Sequence, residues 1–252
     1  MANNFKEIYT KSIENPEEFW KNNSEDIFWF KKPTKILNKS NHPFYKWYED
    51  GKTNTCYNAL DVHIDKGNGE KTALIYDSPI TGNKSKHTYK ELKEKVSKFA
   101  GALVNQGVSK GDRVIIYMPM IPEAVIAMLA CGRIGAIHSV VFGGFAANEL
   151  ASRIDDSKAK IIVSASCGYE PGRVVEYKPL LNKALEIAKH KPNKCIIFQR
   201  EKNKAALDSK IDITWEDSLK NAKPENCVEM NANDYAYILY TSGTTGLPKG
   251  IV

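Results

Sequence analysis

The C-terminal segment YAYILYTSGTTGLPKGIV (235–252) places hydroxyls, glycines and a lysine directly after an apolar run. Glycine lets the backbone approach a ligand closely, and successive N–H groups at such a turn form a concavity that binds anions. A lysine ammonium meets a phosphate as a point charge. These features predict a polyphosphate-binding turn. Its candidate residues are Thr241, Ser242, Gly243, Thr244, Thr245, Gly246 and Lys249.

The spacing in this segment differs from that of the common nucleotide-binding loops. A Walker A motif needs a glycine just before its lysine and a hydroxyl just after it. Here Pro248 precedes Lys249 and Gly250 follows it, and the chain contains no G-x-G-x-x-G motif. By composition alone, a surface turn rich in Ser, Thr and Gly explains the segment equally well. Both interpretations therefore stay open at this point.

Alternating strand-like and helix-like segments would position this turn. Continuous β-branched runs separated by amphipathic helices are typical of parallel strands that are covered on both faces. The predicted strands are 112–119, 136–141, 159–165, 194–200 and 234–241, and the predicted helices are 121–135, 146–157, 177–190 and 214–222. We therefore expect an α/β fold with a doubly wound, mainly parallel sheet. Ligands bind beyond the carboxyl ends of such strands, which points to the loops 142–146 and 242–250.

The segment before this pattern predicts a hairpin and a helix. Strand-like runs at 72–77 and 85–89 flank a turn, which is the pattern of a β-hairpin. Thr88 and Glu91 then have the spacing of a capping box, and apolar residues follow on one helical face. We expect this helix to end at Gly107.

The chain divides into two predicted regions. Residues 1–50 are rich in aromatics and prolines without a sustained period, which predicts an irregular extension draped over a larger body. Residues 51–252 carry the α/β pattern and form the predicted domain. The apolar stretch 121–135 is too short and too charged to span a bilayer, and the N-terminus lacks the apolar core of a secretory signal. We predict a cytoplasmic protein without a membrane segment, with mitochondrial or nuclear location left open.

Charge and cysteine usage exclude several other classes. The formal net charge is +6, but lysines are interleaved with acidic residues, which indicates a solvated surface and no nucleic-acid partner. Five cysteines are widely separated, odd in number and never spaced as C-x-x-C, so we predict reduced thiols, no disulfide framework and no metal site. The cysteines are Cys56, Cys131, Cys167, Cys195 and Cys227.

Three further features are better explained by structure than by chemistry. His138 lies in an apolar strand without a carboxylate partner at useful spacing, which predicts a buried, hydrogen-bonded histidine. Asp155 and Asp156 end a helix in a solvated position, and we do not expect them to form an acid–base pair. The aromatic cluster 44–48 is predicted to pack against neighbouring residues.

The motif YTSGTTGLPKG (240–250) resembles the phosphate-binding signature of the adenylate-forming enzymes, which include acyl-CoA synthetases, luciferases and peptide-synthetase adenylation domains. The resemblance implies that this segment holds the β- and γ-phosphates of ATP. It also implies that a carboxylate attacks the α-phosphorus, which gives an acyl-AMP and pyrophosphate. The region 51–252 would then be the first part of the large N-terminal domain of such an enzyme.

Other segments resemble the short-chain members, the acetyl-CoA and propionyl-CoA synthetases, over nearly the whole chain. These segments are 28–33, 54–63 and 112–154, while 167–181 is more similar to the propionyl-CoA synthetases, because Glu170 stands where acetyl-activating relatives carry a second arginine. The resemblance implies a surface for the nucleotide end of coenzyme A. Its residues would be Phe142, Gly143, Gly144, Glu170, Pro171, Gly172 and Arg173.

The residues alone support part of this assignment. Arg173 can form a forked pair with a phosphate, whereas Glu170 should repel one. Taken alone, Gly143 and Gly144 are better explained as a loop that needs positive φ. The substrates implied are ATP, a short carboxylate and coenzyme A, with Mg²⁺ as the metal cofactor.

The resemblance also implies that this chain is the N-terminal piece of a longer enzyme. The magnesium-binding acid, the catalytic lysine and most of the acyl pocket would follow Val252, so we assign no catalytic residue here. Such a piece is expected to be inactive by itself. Two hypotheses follow: an AMP-forming acid–thiol ligase, or a non-catalytic module that binds a nucleotide, coenzyme A or a partner. We expect only small-molecule substrates as partners and predict no oligomeric state.

Overall fold

The N-terminal extension is helical at its start and irregular only after that. The computed structural model describes residues 2–241 and 248–252. Its first elements are α1 (Ala2–Glu14) and α2 (Pro16–Asn23). Pro16 begins α2 at a position where its missing N–H would have no partner anyway. No side chain of α2 is fully buried, so no strong apolar stripe marks this helix in the sequence.

Short strands follow the two helices. The next elements are β1 (Leu37–Asn38), β2 (Lys46–Trp47) and β3 (Lys52–Thr53), and a bridge between Lys31 and Lys52 connects the extension to the body. β1 pairs with β2. The Trp47 ring lies 6.2 Å from the Trp20 ring and 6.1 Å from the Tyr48 ring. Packing therefore accounts for Trp47 and Tyr48, whereas Phe44 in the same cluster is exposed.

The predicted hairpin and capped helix are confirmed. Helical turns at Tyr57–Asp61 and Ile64–Asn68 lead to β4 (Thr72–Asp77), β5 (Lys84–Thr88) and α3 (Tyr89–Asn105). The Thr88 hydroxyl accepts the Glu91 N–H at 3.2 Å, and the Glu91 carboxylate accepts the Thr88 N–H at 2.8 Å. Gly107 has a φ of 84°, a left-handed conformation with which the chain leaves the helix.

Strands and helices then alternate as the sequence predicts. The first of these elements are β6 (Arg113–Met118), α4 (Pro122–Ile134), β7 (Ile137–Phe142), α5 (Ala147–Ser157) and β8 (Ile161–Ala165). A hairpin of β9 (Cys167–Glu170) and β10 (Arg173–Glu176) precedes α6 (Tyr177–Ile187) and β11 (Lys194–Phe198). The last elements are β12 (Asp212–Thr214), α7 (Trp215–Leu219), β13 (Met230–Asn231), β14 (Leu239–Thr241) and β15 (Lys249–Ile251).

The central sheet has five parallel strands in the order β12-β11-β8-β6-β7. The chain passes from β6 to β7 on one side and then to β8 on the other side of β6. This reversal is the switch point of a doubly wound sheet, beyond which ligands bind. The α/β fold with a doubly wound parallel sheet is therefore confirmed.

Two apolar cores lie on opposite faces of the sheet. Successive residues of a strand point to opposite faces, so Ile116 packs with α3, α4 and α7, whereas Ile115 packs with α5 and α6. On the first face the rings of Phe99 and Trp215 stack at 3.8 Å. On the second face Leu150 and Leu181 are completely buried. No helix among the described residues combines the length and the apolar character that a membrane crossing needs.

The predicted strand 234–241 differs most from the structure. Instead of joining the sheet, it makes one bridge, from Tyr237 to His138 of β7, and then pairs antiparallel with β15. An apolar run indicates a strand but not its partner. Conversely, β12 was not predicted. Its first residue, Asp212, is a buried carboxylate paired with Lys178. The strand therefore has no apolar run that would predict it from the sequence.

Candidate functional site

Tyr177 joins the two segments that were assigned to coenzyme A. The buried ring lies between Gly143, in the loop after β7, and Gly168 in β9, and a Cβ atom at either glycine would overlap it. These glycines are therefore required by close approach, because any side chain would displace the ring. Burial, with smaller contributions from Tyr117 and Glu170, raises the pKa of Tyr177 to about 12. Its hydroxyl stays protonated at neutral pH.

A second tyrosine, Tyr117, supports the loop after β7. Tyr117 of β6 donates a 3.0 Å hydrogen bond from its hydroxyl to the Phe145 carbonyl, and its ring lies 5.0 Å from that of Tyr177. Gly144 has a φ of 95°, as a loop that needs positive φ requires, whereas Gly143 is needed for its close approach to the Tyr177 ring. Phe142 is 70% exposed. The loop thus exposes the apolar ring of Phe142 to solvent, while Tyr117 and Tyr177 contact its backbone.

The tip of the β9–β10 hairpin carries the remaining candidates for the coenzyme A surface. Pro171 and Gly172, with a φ of 75° at the glycine, have the pattern typical of a type II turn. Glu170 and Arg173 flank this turn, and one Glu170 oxygen lies 2.7 Å from Arg173 Nε and 2.6 Å from Nη2. The guanidinium that the sequence analysis left unpaired is therefore neutralised by its own neighbour. The pair is largely exposed, so it is weak and can open to admit an anion.

Two further cations lie at the base of the same hairpin, where the sequence analysis assigned no function. The Arg200 guanidinium stacks 3.8 Å above the Tyr169 ring, and Lys202 lies 5.6 Å from it. The Lys202 N–H donates to the Tyr169 hydroxyl at 3.1 Å. Both residues follow β11 at the carboxyl end of the sheet. That position, after a predicted strand, is the signal that could have identified them.

The segment predicted to bind polyphosphate, 241–249, begins and ends in two strands, β14 and β15, that pair antiparallel. Thr241 of β14 pairs with Lys249 of β15, so the ends of the turn are fixed opposite each other. Both residues are exposed. The other candidates, Ser242, Gly243, Thr244, Thr245 and Gly246, lie outside the described residues.

Helix α5 holds this hairpin in place. The Tyr240 hydroxyl donates a 2.7 Å hydrogen bond to Asp156. The Arg153 guanidinium lies 5.1 Å from the Tyr240 ring and 5.1 Å from the Phe145 ring. Arg153 therefore connects the hairpin to the loop after β7. Asp156 binds Tyr240, while Asp155 accepts the His190 N–H at 2.7 Å, so the two carboxylates have separate partners, which agrees with the prediction that they form no acid–base pair.

His138 marks the point where the hairpin segment meets the sheet. Its backbone accepts the Ile238 N–H at 2.9 Å and donates to the Ala236 carbonyl at 3.3 Å. The side chain differs from the prediction of a hydrogen-bonded histidine, because its buried Nδ1 has no partner. The ring instead lies 5.8 Å from that of Tyr237. Burial lowers the pKa of His138 to about 4, which keeps it neutral and leaves it a structural role.

The described residues do not offer a site for Mg²⁺. Among residues 2–241 and 248–252, three candidate metal ligands converge at Cys56, Asp61 and Cys227. Mg²⁺ prefers oxygen ligands, whereas two of these are thiols, and Arg133 and Lys93 already pair with the carboxylate. Arg133 ends α4, which returns the chain to the amino end of the sheet, so this cluster lies at the opposite edge from the candidate site.

The described arrangement is suited to binding rather than to proton transfer. It combines two paired strand ends, an exposed phenyl ring, an exposed guanidinium and a stacked Arg200, and groups of these kinds can bind phosphates and a flat base. The sequence analysis placed Tyr117 and Tyr177 within a strand and a helix without a role. Their positions at the carboxyl edge of the sheet, with hydroxyls or rings under two glycine loops, could be recognised only in three dimensions.

Comparisons with known proteins identify the family to which the chain is related. Residues 62–252 match the family described as AMP-binding enzyme, and residues 5–59 match the family described as acetyl-coenzyme A synthetase N-terminus. The chain is 53% identical over 249 residues to acyl-CoA synthetase short-chain family member 3, mitochondrial, from Rattus norvegicus, covering 98% of this chain and 36% of that protein. It is 43% identical over 255 residues to acetyl-coenzyme A synthetase from Streptomyces coelicolor, covering 100% of this chain and 38% of that protein.

A solved structure shows the same fold. Acetoacetyl-CoA synthetase from Streptomyces lividans superposes with a TM-score of 0.84 at 24% identity, covering 96% of this chain and 37% of that chain. At this identity the likeness establishes the fold alone. The chain spans little more than a third of the length of the relatives it matches. Together these comparisons confirm the resemblance to short-chain acyl-CoA synthetases.

Proposed function

Because the chain belongs to the AMP-binding enzyme family, we propose that its parent protein is an AMP-forming acid–thiol ligase. In the first step a carboxylate oxygen attacks the α-phosphorus of ATP, the bond to the bridging oxygen breaks, and acyl-AMP and pyrophosphate form. In the second step the sulfur of coenzyme A attacks the acyl carbon. The bond to the AMP oxygen breaks, AMP leaves, and the thiol proton passes to solvent.

One observation carries this proposal: the hairpin of β14 and β15, which contains the signature, is anchored beside β7 of a doubly wound sheet and against α5. Tyr240 and Asp156 fix it through a hydrogen bond, and the pairing of Thr241 with Lys249 fixes the ends of the turn. Successive N–H groups of a turn bind anions, and donors that are fixed in advance stabilise a developing negative charge.

We assign the ATP phosphates to this hairpin. In the proposal Thr241, Lys249 and the turn 242–246 bind the β- and γ-phosphates and stabilise pyrophosphate as it leaves. Lys249 is exposed, so its ammonium is free to follow the charge that develops on the leaving group. Mg²⁺ remains an expected cofactor, and no step is assigned to it on the described residues.

We assign the nucleotide end of coenzyme A to the loop 142–144 and the hairpin tip 170–173. Tyr177 supports a shared role, because its ring packs against Gly143 of the loop and against Gly168 of β9, the strand that leads to the hairpin tip. Phe142 offers a flat apolar face, and Arg173 offers a fork to a phosphate once Glu170 releases it. The Glu170–Arg173 pair makes this surface less positive than a pair of arginines would be.

The acid is proposed to be acetate or propionate. The rat relative carries the name of a short-chain synthetase and the Streptomyces relative that of an acetyl-coenzyme A synthetase, which supports a short acid without choosing between the two. The segment 167–181 favours propionate, because its Glu170 follows the pattern of propionyl-CoA synthetases. The division into an extension, 1–50, and a domain, 51–252, also stays a prediction.

ATP–pyrophosphate exchange in the complete protein tests the first step. We expect exchange that depends on acetate or propionate and that falls markedly in Lys249→Ala and in Thr244→Ala. Lys220→Ala is a matched control that should keep full exchange, because Lys220 directly follows α7 and pairs with Asp217. Full exchange in both hairpin variants would refute the assigned roles. Coenzyme A binding without exchange in the complete protein would favour the non-catalytic module instead.

The compartment is open to a separate test. The sequence predicts a cytoplasmic protein, whereas the rat relative is described as mitochondrial. Fractionation of cells that express the complete protein distinguishes the two locations, and recovery with the organelle fraction would refute the cytoplasmic prediction.

A further inference from the structure

Two cysteines from distant parts of the chain meet at the amino end of the sheet. Cys56 Sγ, Cys227 Sγ and a carboxylate oxygen of Asp61 all lie within 4.8 Å of one another. Strands β3 and β13 bring the two segments together, with Thr53 opposite Met230 in an antiparallel ladder. Each cysteine lies the same distance along the chain past this last ladder pair.

Charged groups surround the two thiols closely. Arg133 Nη1 lies 3.6 Å from Cys56 Sγ and 2.8 Å from Asp61 Oδ2, and Lys93 lies 3.0 Å from the same carboxylate. Cys227 Sγ is 3.7 Å from that Oδ2 oxygen. A divalent cation would lie beside two positive side chains and would have to displace them from its carboxylate ligand. The arrangement therefore disfavours a metal and leaves a thiol pair beside a cation.

The environment favours a thiolate on the inner cysteine. The hydrogen bond from Cys227, followed by the positive charge of Arg133, lowers the pKa of the Cys56 thiol although burial opposes ionisation. The same hydrogen bond and burial raise the pKa of Cys227, which keeps its proton. Cys56 is fully buried, whereas Cys227 is half-buried and within reach of a small oxidant. By contrast, burial raises the pKa of both Cys131 and Cys195 to about 12.

We propose that Cys56 and Cys227 form an oxidisable pair that closes to a disulfide, with a hydroperoxide such as hydrogen peroxide as the oxidant. The Cys227 thiol passes its proton to the neighbouring Cys56 thiolate as its sulfur attacks one peroxide oxygen. The O–O bond breaks, and the leaving hydroxide takes that proton from Cys56, which gives one water, a Cys227 sulfenic acid and again the Cys56 thiolate. The Cys56 thiolate then attacks the Cys227 sulfur, an S–S bond forms and the S–O bond breaks. Hydroxide leaves, takes up the proton released by Cys56 and becomes the second water, so two electrons pass from the thiol pair to the peroxide.

The cross-link would connect the start of the α/β domain to the segment that leads to the phosphate hairpin. The two segments are already joined by the Asn54 side-chain amide, which donates to the Val228 carbonyl at 2.9 Å. Disulfide formation would therefore mainly require a shorter distance between the two Sγ atoms, which already lie within 4.8 Å of each other. The bond would close a loop of roughly 170 residues and so restrict mainly the unfolded chain. This inference does not depend on the proposed ligase activity.

Peptide mapping of the complete protein tests the proposal. The protein is treated with hydrogen peroxide, its remaining thiols are blocked under denaturing conditions, and it is digested with trypsin. We expect one linked species that joins the peptides of Cys56 and Cys227 and disappears after reduction. We also expect faster migration on a non-reducing gel and a Tm higher by several degrees, about 2–8 °C, than that of the reduced protein.

Variants separate this pair from the other thiols. Cys227→Ser and Cys56→Ser should each abolish the linked species, the gel shift and the rise in Tm, while Cys131→Ser should keep all three. Because Cys227 is only half-buried, its serine variant is the one expected to fold without difficulty. Over-oxidation of single thiols without the linked species, or linkage to a different cysteine, would overturn the proposal. Stabilisation of the reduced protein by Zn²⁺, together with protection of both thiols, would overturn it in favour of a metal site.

Discussion

The Tyr240 hydroxyl donates a hydrogen bond of 2.7 Å to the Asp156 carboxylate, and this contact ties the signature hairpin to helix α5. Burial and this bond raise the pKa of Tyr240, so the hydroxyl remains a donor throughout the physiological range. Gly250, opposite Tyr240, lets the strands of the hairpin pack closely, because a Cβ there would lie 3.2 Å from the tyrosine ring. The position of β14 and β15 therefore depends on Asp156, which is far from them in sequence.

Removal of this contact should weaken ATP binding. In Tyr240→Phe and Asp156→Asn we expect the KM for ATP to rise roughly fivefold, because a hydrogen bond of this kind contributes about 1 kcal/mol. The KM for coenzyme A should change little. Since both changes remove the same bond, the double variant should be hardly worse than either single variant. Steady-state kinetics of the complete protein measure all three.

Asp155→Asn is the matched control for that series. Asp155 precedes Asp156 on α5 but accepts the His190 N–H instead of contacting the hairpin. Its variant should keep the KM for ATP of the parent protein. An equal rise in Asp155→Asn and Asp156→Asn would show that α5 as a whole, rather than the Tyr240 contact, positions the turn.

The Glu170–Arg173 pair predicts a variant that binds coenzyme A more tightly than the parent protein. If Arg173 binds a phosphate of coenzyme A, Glu170→Gln should lower the KM for coenzyme A by roughly two- to fivefold, because it releases an exposed guanidinium. The gain should shrink at high salt, where exposed charges are screened. Glu176→Gln is the control on the same hairpin, because Glu176 accepts from Asn203 and is not paired with Arg173. A KM that rises in Glu170→Gln would contradict the proposed role of Arg173.

The regular part of the fold could be predicted from the sequence because local signals and packing agree there. The Thr88–Glu91 capping box, the β-branched run of 159–165 and the glycine after α4 each fix a boundary through local chemistry. Strand β12 could not be predicted, because Asp212 is buried by pairing with Lys178 on α6, and such pairing is visible only in the folded chain.

The candidate site could be predicted only in part, for a related reason. The motifs indicate which loops bind ligands, but they say nothing of what supports the loops. Tyr117 and Tyr177 look like ordinary strand and helix residues, yet their rings hold two glycine segments. The same limit applies to 234–241, which has the composition of a central strand but pairs mainly with 249–251. Partner choice depends on contacts between distant segments, which periodicity does not report.

The close approach of Tyr177 to Gly143 predicts coupling between these positions. Gly143→Ala should destabilise the protein by about 1–3 kcal/mol, because the new methyl group overlaps the tyrosine ring. Tyr177→Leu in the same chain should recover part of that loss, so the double variant is more stable than the sum of the single effects predicts. Urea denaturation provides the four free energies of unfolding.

Gly144→Ala is the matched control for this cycle. No atom lies near the position of a Cβ on Gly144, so its substitution is costly only because of the φ of 95°. Tyr177→Leu should therefore not restore it, and the two effects should add. Additive effects for Gly143 and Tyr177 as well would show that the ring moves away without cost.

The buried Asp61–Arg133 pair predicts how stability depends on pH. Although burial opposes ionisation, hydrogen bonds from Arg133 and Lys93 hold the pKa of Asp61 below its ordinary value of 3.8. A carboxyl whose pKa is lowered by folding stabilises the protein fully above that ordinary value, and the contribution is lost as the pH falls through the lower folded pKa. At neutral pH, Asp61→Asn should cost about 3–5 kcal/mol, because it leaves Arg133 buried without its counter-ion.

The difference between the parent protein and Asp61→Asn should therefore shrink as the solution is acidified below the ordinary carboxyl pKa. Urea denaturation at a series of pH values from about 7 down to about 3 measures it. Asp65→Asn is the control, since Asp65 lies nearby on the same helical segment but accepts only the Tyr57 hydroxyl at an exposed position. A difference for Asp61→Asn that stays constant over this range would show that the carboxylate charge does not stabilise the fold, and that only the shape of the side chain matters there.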